Sequence, residues 1–144
     1  MNYVLMSETH IEQIAEMEKL CFSDPWSVNS VRYELTNPLS FWLVAEEDGK
    51  VAGYVGSQTV LGEADMMNLA VHPDFRMQGI ATELVERLVA ALRENGVYCL
   101  TLEVRVSNFQ AIALYTKLGF LQIGKRPNYY SHPKEDALIL RLDF

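Results

Sequence analysis

The sequence predicts a single α/β domain built on one central mixed sheet with helices on both faces. Three observations carry that prediction. Apolar residues alternate in some segments and recur at three- and four-residue spacing in others, so strands and helices follow one another along the chain. No linker, repeat or low-complexity stretch divides these segments, and residues 1–144 read as one domain. The composition, 49% hydrophobic over 144 residues, is enough to bury a core.

The elements follow in order. A strand is expected near 2–6, then a helix near 8–20 carrying Ile11, Ile14, Met17 and Leu20 on its apolar stripe. The turn Ser23-Asp24-Pro25-Trp26-Ser27 leads to a second helix through Val28, Val31, Tyr33 and Leu35, with Ser27 as its N-cap. Strands over 41–46 and 51–60 flank Glu47-Asp48-Gly49-Lys50, a hairpin turn with glycine where positive φ is needed. The run 66–71 reads as a strand that stops at His72-Pro73-Asp74. Ile80, Leu84, Leu88 and Leu92 then mark a long amphipathic helix that ends at Asn95-Gly96, with Gly96 as a left-handed cap. A strand over 98–106, a helix over 108–117 stopped by Gly119, and strands over 120–125 and 137–142 complete the chain.

Charge and composition narrow the function classes. A net charge of −7 argues against general nucleic-acid binding and suits a basic substrate. No apolar run reaches the roughly eighteen residues of a membrane span, so no membrane partner is expected. The opening residues 1–8 meet an acid too early for a signal peptide, and a cytoplasmic protein is expected. Cys21 and Cys99 lie far apart in apolar surroundings and read as buried reduced thiols. His10, His72 and His132 have no ligand spacing, so no metal is expected.

The chemistry concentrates in the second half. Arg76-Met77-Gln78-Gly79-Ile80-Ala81 sits between a strand and a helix. A helix opening just after a small-residue turn presents unpaired N–H groups and the positive end of its dipole, which together hold a pyrophosphate. The spacing is neither G-x-x-x-x-G-K-[ST] nor G-x-G-x-x-G, so P-loop and dinucleotide fingerprints are excluded. In strand 98–106, Leu100, Leu102, Val104 and Val106 alternate onto one face and leave Glu103 on the other. Glu103 then reads either as a solvated charge at a strand end or as a carboxylate held at the sheet opening to draw a proton from an amine. Tyr115 reads either as a core residue on the inward stripe of its helix or as a phenol able to protonate a leaving thiolate. Asn108 is a helix cap whose amide could also face a ligand.

These elements resemble the GNAT superfamily of N-acetyltransferases over nearly the whole chain, and within it the RimI-type ribosomal-protein alanine N-acetyltransferases. The match rests on Pro25-Trp26-Ser27, Asn68-Leu69-Ala70-Val71-His72-Pro73, Arg76-x-x-Gly79-x-Ala81, Glu103-Val104-Arg105-x-Ser107-Asn108, Ala111-x-x-Leu114-Tyr115-x-x-x-Gly119-Phe120, and Arg126-x-x-Tyr129-Tyr130 before Asp136-Ala137. Ala81 stands where many relatives carry a second glycine.

The resemblance implies the GNAT acyl-CoA N-acyltransferase fold, with acetyl-CoA as co-substrate. It implies that Leu69, Ala70 and Val71 offer backbone groups to the thioester and pantetheine arm. Met77, Gln78, Gly79, Ile80, Ala81 and Thr82 would hold the pyrophosphate, and Asn108 would touch the coenzyme. Glu103 matches the position of a general base and Tyr115 that of a general acid. The implied acceptor is the N-terminal alanine of small-subunit ribosomal protein eighteen, presented as a basic peptide. Trp26, Tyr129 and Tyr130, expected in loops, read either as groups suiting such a peptide or as hydrophobic plugs. Two other functions fit the same residues: acetylation of a small amine such as a polyamine or aminoglycoside, or acyl-CoA binding by a catalytically silent interaction module. The presence of both Glu103 and Tyr115 argues against the silent module.

Overall fold

The computed structural model describes residues Met1–Phe144. Seven strands form one sheet: β1 (Asn2–Leu5), β2 (Ser40–Glu47), β3 (Lys50–Val60), β4 (Glu63–Val71), β5 (Cys99–Arg105), β6 (Leu121–Ser131) and β7 (Lys134–Asp143). They lie in the order β1-β2-β3-β4-β5-β7-β6, and every neighbouring pair is antiparallel except β4 and β5. Helices α1 (Ile11–Cys21) and α2 (Val28–Tyr33) cover one face. Helices α3 (Ile80–Glu94) and α4 (Phe109–Lys117) cover the other. No helix is long and apolar enough to cross a membrane.

Two apolar clusters divide the core along these faces. Leu84, Val85, Leu88 and Leu92 of α3 pack on Ala64, Met66, Leu100, Leu102 and Val104, with Tyr115 and Phe120 closing the far side. Ile11, Ile14 and Met17 of α1 and Val31 of α2 pack on Trp42, Val44, Tyr54 and Ala70. Burying side chains of this size contributes roughly 1.5–3 kcal/mol each before conformational entropy is subtracted.

Local chemistry explains several boundaries. The Ser27 hydroxyl accepts from Ser30 N at 3.1 Å and caps α2 as expected. Gly96 takes φ +80 after α3, and Asn108 caps α4 by accepting from Ala111 N at 3.2 Å. β4 begins at Glu63, three residues before the predicted strand, because its exposed Glu63 and Asp65 alternate with a small buried Ala64. β6 runs on to Ser131 through Lys125, Arg126, Pro127 and Asn128, a polar stretch with proline that the sequence hides as a loop. Pairing with β7 holds it, at the cost of two register irregularities. Tyr129 and Tyr130 therefore stand in a strand and not in a loop.

The helix over 8–20 is also revised. A 3₁₀ turn over Glu8–His10 precedes α1, and Leu20 is exposed while Glu18 occupies the buried stripe. Tyr33 of α2 likewise faces outward, and Leu35 lies beyond the helix end.

Candidate active site

The functional cleft starts as a failure of strand pairing. β4 and β5 pair in parallel only at Glu63–Cys99, Ala64–Leu100 and Asp65–Thr101. Beyond Asp65 they diverge, so the β5-facing backbone groups of residues 66–71 are freed from the ladder. β4 also carries a bulge: Ser57 pairs with Met66 and Gly56 with Asn68, so Met67 is skipped. The bulge reverses which face each later side chain takes. Ala64 and Met66 pack with α3, whereas Ala70 packs with α1 and α2.

The opening forms a cleft of about 530 Å³ lined by Met66, Met67, Asn68, Leu69, Ala70 and Val71 on one wall. Leu102, Glu103, Val104, Arg105, Asn108, Tyr115 and Tyr130 line the other, with Trp26 and Glu18 along the α1 side. The predicted Leu69, Ala70, Val71, Ala81, Glu103, Asn108 and Tyr115 thus meet in one space.

At one end of the cleft lies the turn into α3. Met77 and Gly79 have φ of +65 and +76. A Cβ on Gly79 would meet nothing within 4 Å, so this glycine answers to its backbone angle and not to crowding. No side chain caps α3, and its first internal bond is Glu83 N–H to Gly79 O at 3.1 Å. The N–H groups of Ile80, Ala81 and Thr82 therefore precede the helical ladder with no helical acceptor. Met77 and Gln78 are exposed, and the Ile80 side chain is buried in the α3 cluster, so a ligand here meets backbone.

Glu103 is one-quarter exposed on the wall opposite the turn. Its Oε1 accepts from Arg126 Nε at 3.3 Å, and Arg126 lies over the Tyr129 ring. Tyr115 is buried, and its hydroxyl donates to Met66 Sδ at 3.7 Å, a weak acceptor. Burial, then the neighbouring Tyr130, raises the Tyr115 phenol well above its ordinary value and keeps it protonated. Burial and the adjacent Tyr129 push Tyr130 up to about 12. The Arg105 guanidinium lies 4.2 Å from the Tyr130 ring and binds Glu135 at 3.1 Å. Hydrogen bonds from Ser107 and from Arg105 hold the Glu135 carboxyl below its usual range.

The thiols divide. Cys99 is buried as expected, but Cys21 is only partly buried, lines the cleft, and lies 3.8 Å from Arg76 Nη2. Trp26 and Tyr130 both line the cleft, and Trp26 packs on Trp42 with centroids 5.6 Å apart. Tyr129, half-exposed, packs edge-on against Tyr130.

One group escaped the sequence reading. Glu18 is 1% exposed on α1 and accepts from Trp26 N at 3.0 Å, Asn68 Nδ2 at 2.8 Å and the Tyr54 hydroxyl. Its signal was present: it stands seven residues after Ile11 and four after Ile14, where the apolar stripe calls for a hydrophobe.

The chain and its fold have counterparts among known proteins. Residues 11–120 match the family model described as Acetyltransferase (GNAT) family. The ribosomal protein bS18-alanine N-acetyltransferase of Escherichia coli (strain K12) is 41% identical over 136 residues, covering 92% of this chain and 86% of that protein. The enzyme of the same name from Salmonella typhimurium is 38% identical over 146 residues, covering 96% and 94%. The crystal structure of the ribosomal-protein-S18-alanine N-acetyltransferase from Escherichia coli superposes with a TM-score of 0.91 at 35% identity, covering 99% of this chain and 92% of that one. The chain belongs to the acetyltransferase (GNAT) family and is an acyltransferase of that fold.

Proposed function

We propose that the protein transfers an acetyl group from acetyl-CoA to the α-amine of an N-terminal alanine on a basic ribosomal-protein peptide, by direct attack with Glu103 as base and Tyr115 as acid. The observation that carries this reading is the cleft between β4 and β5, which holds a carboxylate, a buried phenol and free strand backbone together. The names of relatives about 40% identical supply the acceptor, ribosomal protein bS18.

The residues fit acetyl-CoA. The unpaired N–H groups at the start of α3 suit a pyrophosphate, and the unpaired edge of β4 suits the amides of a pantetheine arm. Asn108 spends its Oδ1 on capping α4, which leaves its Nδ2 for the coenzyme. When bound, the coenzyme supplies an activated thioester.

The chain's own groups then have limited work. A free backbone N–H of Leu69, Ala70 or Val71 stabilises negative charge developing on the thioester oxygen. Glu103 accepts the amine's proton through Oε2, which Arg126 leaves free, or through a bridging water. The α-amine has a reference pKa of about 7.7–8.0, so a sizeable minority is already free base near neutrality. Tyr115 delivers a proton to the departing sulfur. Burial holds the phenol protonated, and the same burial disfavours a free thiolate. Alignment of the two reactants supplies a large share of the acceleration. Trp26 and Tyr130 offer flat apolar faces to the first peptide residues, and a net charge of −7 favours a basic chain.

The test is incubation with acetyl-CoA and a peptide of about six residues beginning Ala-Arg, beside a panel of polyamines and aminoglycosides, read by intact mass. A single acetyl on the peptide supports the reading. Acetylation of the small amines with none of the peptide rejects it.

A further inference from the structure

Glu18 is a buried carboxylate that the proposed chemistry does not use. It has no Lys, Arg or His among its partners, only three hydrogen-bond donors. Removing an ion from water without a counter-charge is expensive, and an apolar residue on this stripe would serve stability as well or better. Its partners define what it holds. Asn68 lies on β4 just past the bulge at Met67 and directly before Leu69. Trp26 begins the far side of the loop after α1, and both residues line the cleft. Tyr54 on β3 closes the third side of the carboxylate, and burial with the Glu18 charge raises its phenol far above the ordinary range.

The bulge makes this anchor necessary. A strand that slips by one residue turns every side chain to the other face. In β4 the reversal after Met66 sends Asn68 toward α1 and frees the backbone at Leu69 for the cleft. Gly56 opposite Asn68 adds no side-chain restraint, since a Cβ there would strike Trp42 at 2.2 Å. Past the reversal, the Asn68 amide is tied to Glu18 at 2.8 Å.

We infer that Glu18 is a positioning residue, which through Asn68 and Trp26 fixes the β4 wall and the α1 side of the acyl-transfer cleft and so sets turnover more than coenzyme affinity. This rests on the acetyltransferase reading above. Replacing the carboxylate with an amide leaves one acceptor oxygen facing three donors, so at least one tie is lost. The turn at Met77 to Gly79 shares none of these bonds and keeps its hold on phosphate.

The experiment compares wild type, Glu18→Gln, Asn68→Ala and the double variant in the full-length protein. A misplacement of about 1 Å at a reacting centre can lower a rate by roughly a hundredfold, so kcat in each single variant is expected to fall about ten- to a hundredfold. Acetyl-CoA affinity should weaken by less than kcat falls, because the phosphate turn is untouched, and the double variant should be no slower than the slower single, because the two residues act as a unit. Amide hydrogen exchange on the coenzyme-free protein should show faster exchange at 68–71 in both single variants, with 80–84 unchanged. If Glu18→Gln does not fold, the partly exposed Asn68→Ala carries both measurements. Wild-type kcat and exchange in Asn68→Ala, or fully additive losses in the double variant, overturn the inference. If the wild type acetylates no amine, the proposed function fails on its own, while exchange at 68–71 still decides whether Glu18 fixes the bulge.

Discussion

On the β4 side of the cleft, a substrate meets backbone: the free edge of 66–71 and the N–H groups that open α3. On the β5 side it meets side chains, Glu103, Tyr115 and Tyr130, each tied to a group distant in sequence. The backbone wall needs little from residue identity beyond turn geometry and a bulge. The side-chain wall needs specific atoms at specific distances. On the proposed mechanism the first would bind the coenzyme with ordinary apolar residues, whereas the second would carry the proton transfers and is expected to fail atom by atom.

The largest effect should come from deleting one oxygen on the side-chain wall. Tyr115→Phe is expected to lower kcat by roughly one to three orders of magnitude while acetyl-CoA affinity stays unchanged. Calorimetry beside steady-state kinetics would read both, and an unchanged kcat returns Tyr115 to a packing role against Phe120. The matching cut on the backbone wall is Gly79→Val. A β-branched residue at φ +76 costs roughly 1–2 kcal/mol, so KM for acetyl-CoA should rise about five- to thirtyfold with kcat little altered. If kcat fell and KM did not, the two walls would not divide binding from chemistry.

Glu103→Gln sharpens the contrast further. Losing the base should make the rate steeper with pH and let it recover partly above the amine's own pKa of about 7.7–8.0. Parallel pH–rate profiles for variant and wild type would leave Glu103 only an orienting role. The smallest effect lies at Glu135. Its carboxyl is held below its usual range, so its stabilisation is present above the ordinary carboxylate pKa and is lost as pH falls through the lowered value. Thermal melts should find Glu135→Gln less stable than wild type by a few degrees near pH 7, with the difference shrinking as pH is lowered below the ordinary carboxylate range.

The same division governs what was legible in the sequence. The backbone wall is local: Arg76-x-x-Gly79-x-Ala81 lies in one turn, and a positive φ at Gly79 follows from its place before a helix. The alternation around Glu103 placed it opposite Leu102 and Val104 without further information. The side-chain partners were hidden because they come from elsewhere in the chain. Arg126 reaches Glu103 only because β6 pairs with β7, and the proline and polar run of β6 disguise it as loop. Glu18 is hidden because a charged residue does not announce itself on an apolar stripe, which the sequence completes with Leu20 although Leu20 is exposed. The bulge at Met67 leaves no mark in alternation, since Asn68, Leu69 and Ala70 fit either face.

The central claim is that this cleft acetylates a chain-end amine, and one peptide tests it directly. It begins with a free alanine followed by arginine and carries one internal lysine, so both amines meet the enzyme at the same concentration. Their reference pKa values differ by about 2.5 units, roughly 3.4 kcal/mol of deprotonation, and Glu103 alone does not bridge that gap. Fragmentation mass spectrometry after incubation with acetyl-CoA is expected to find acetyl on the α-amine in at least a hundredfold excess over the lysine. Equal acetylation at the two sites, or modification of the lysine alone, would contradict the claim.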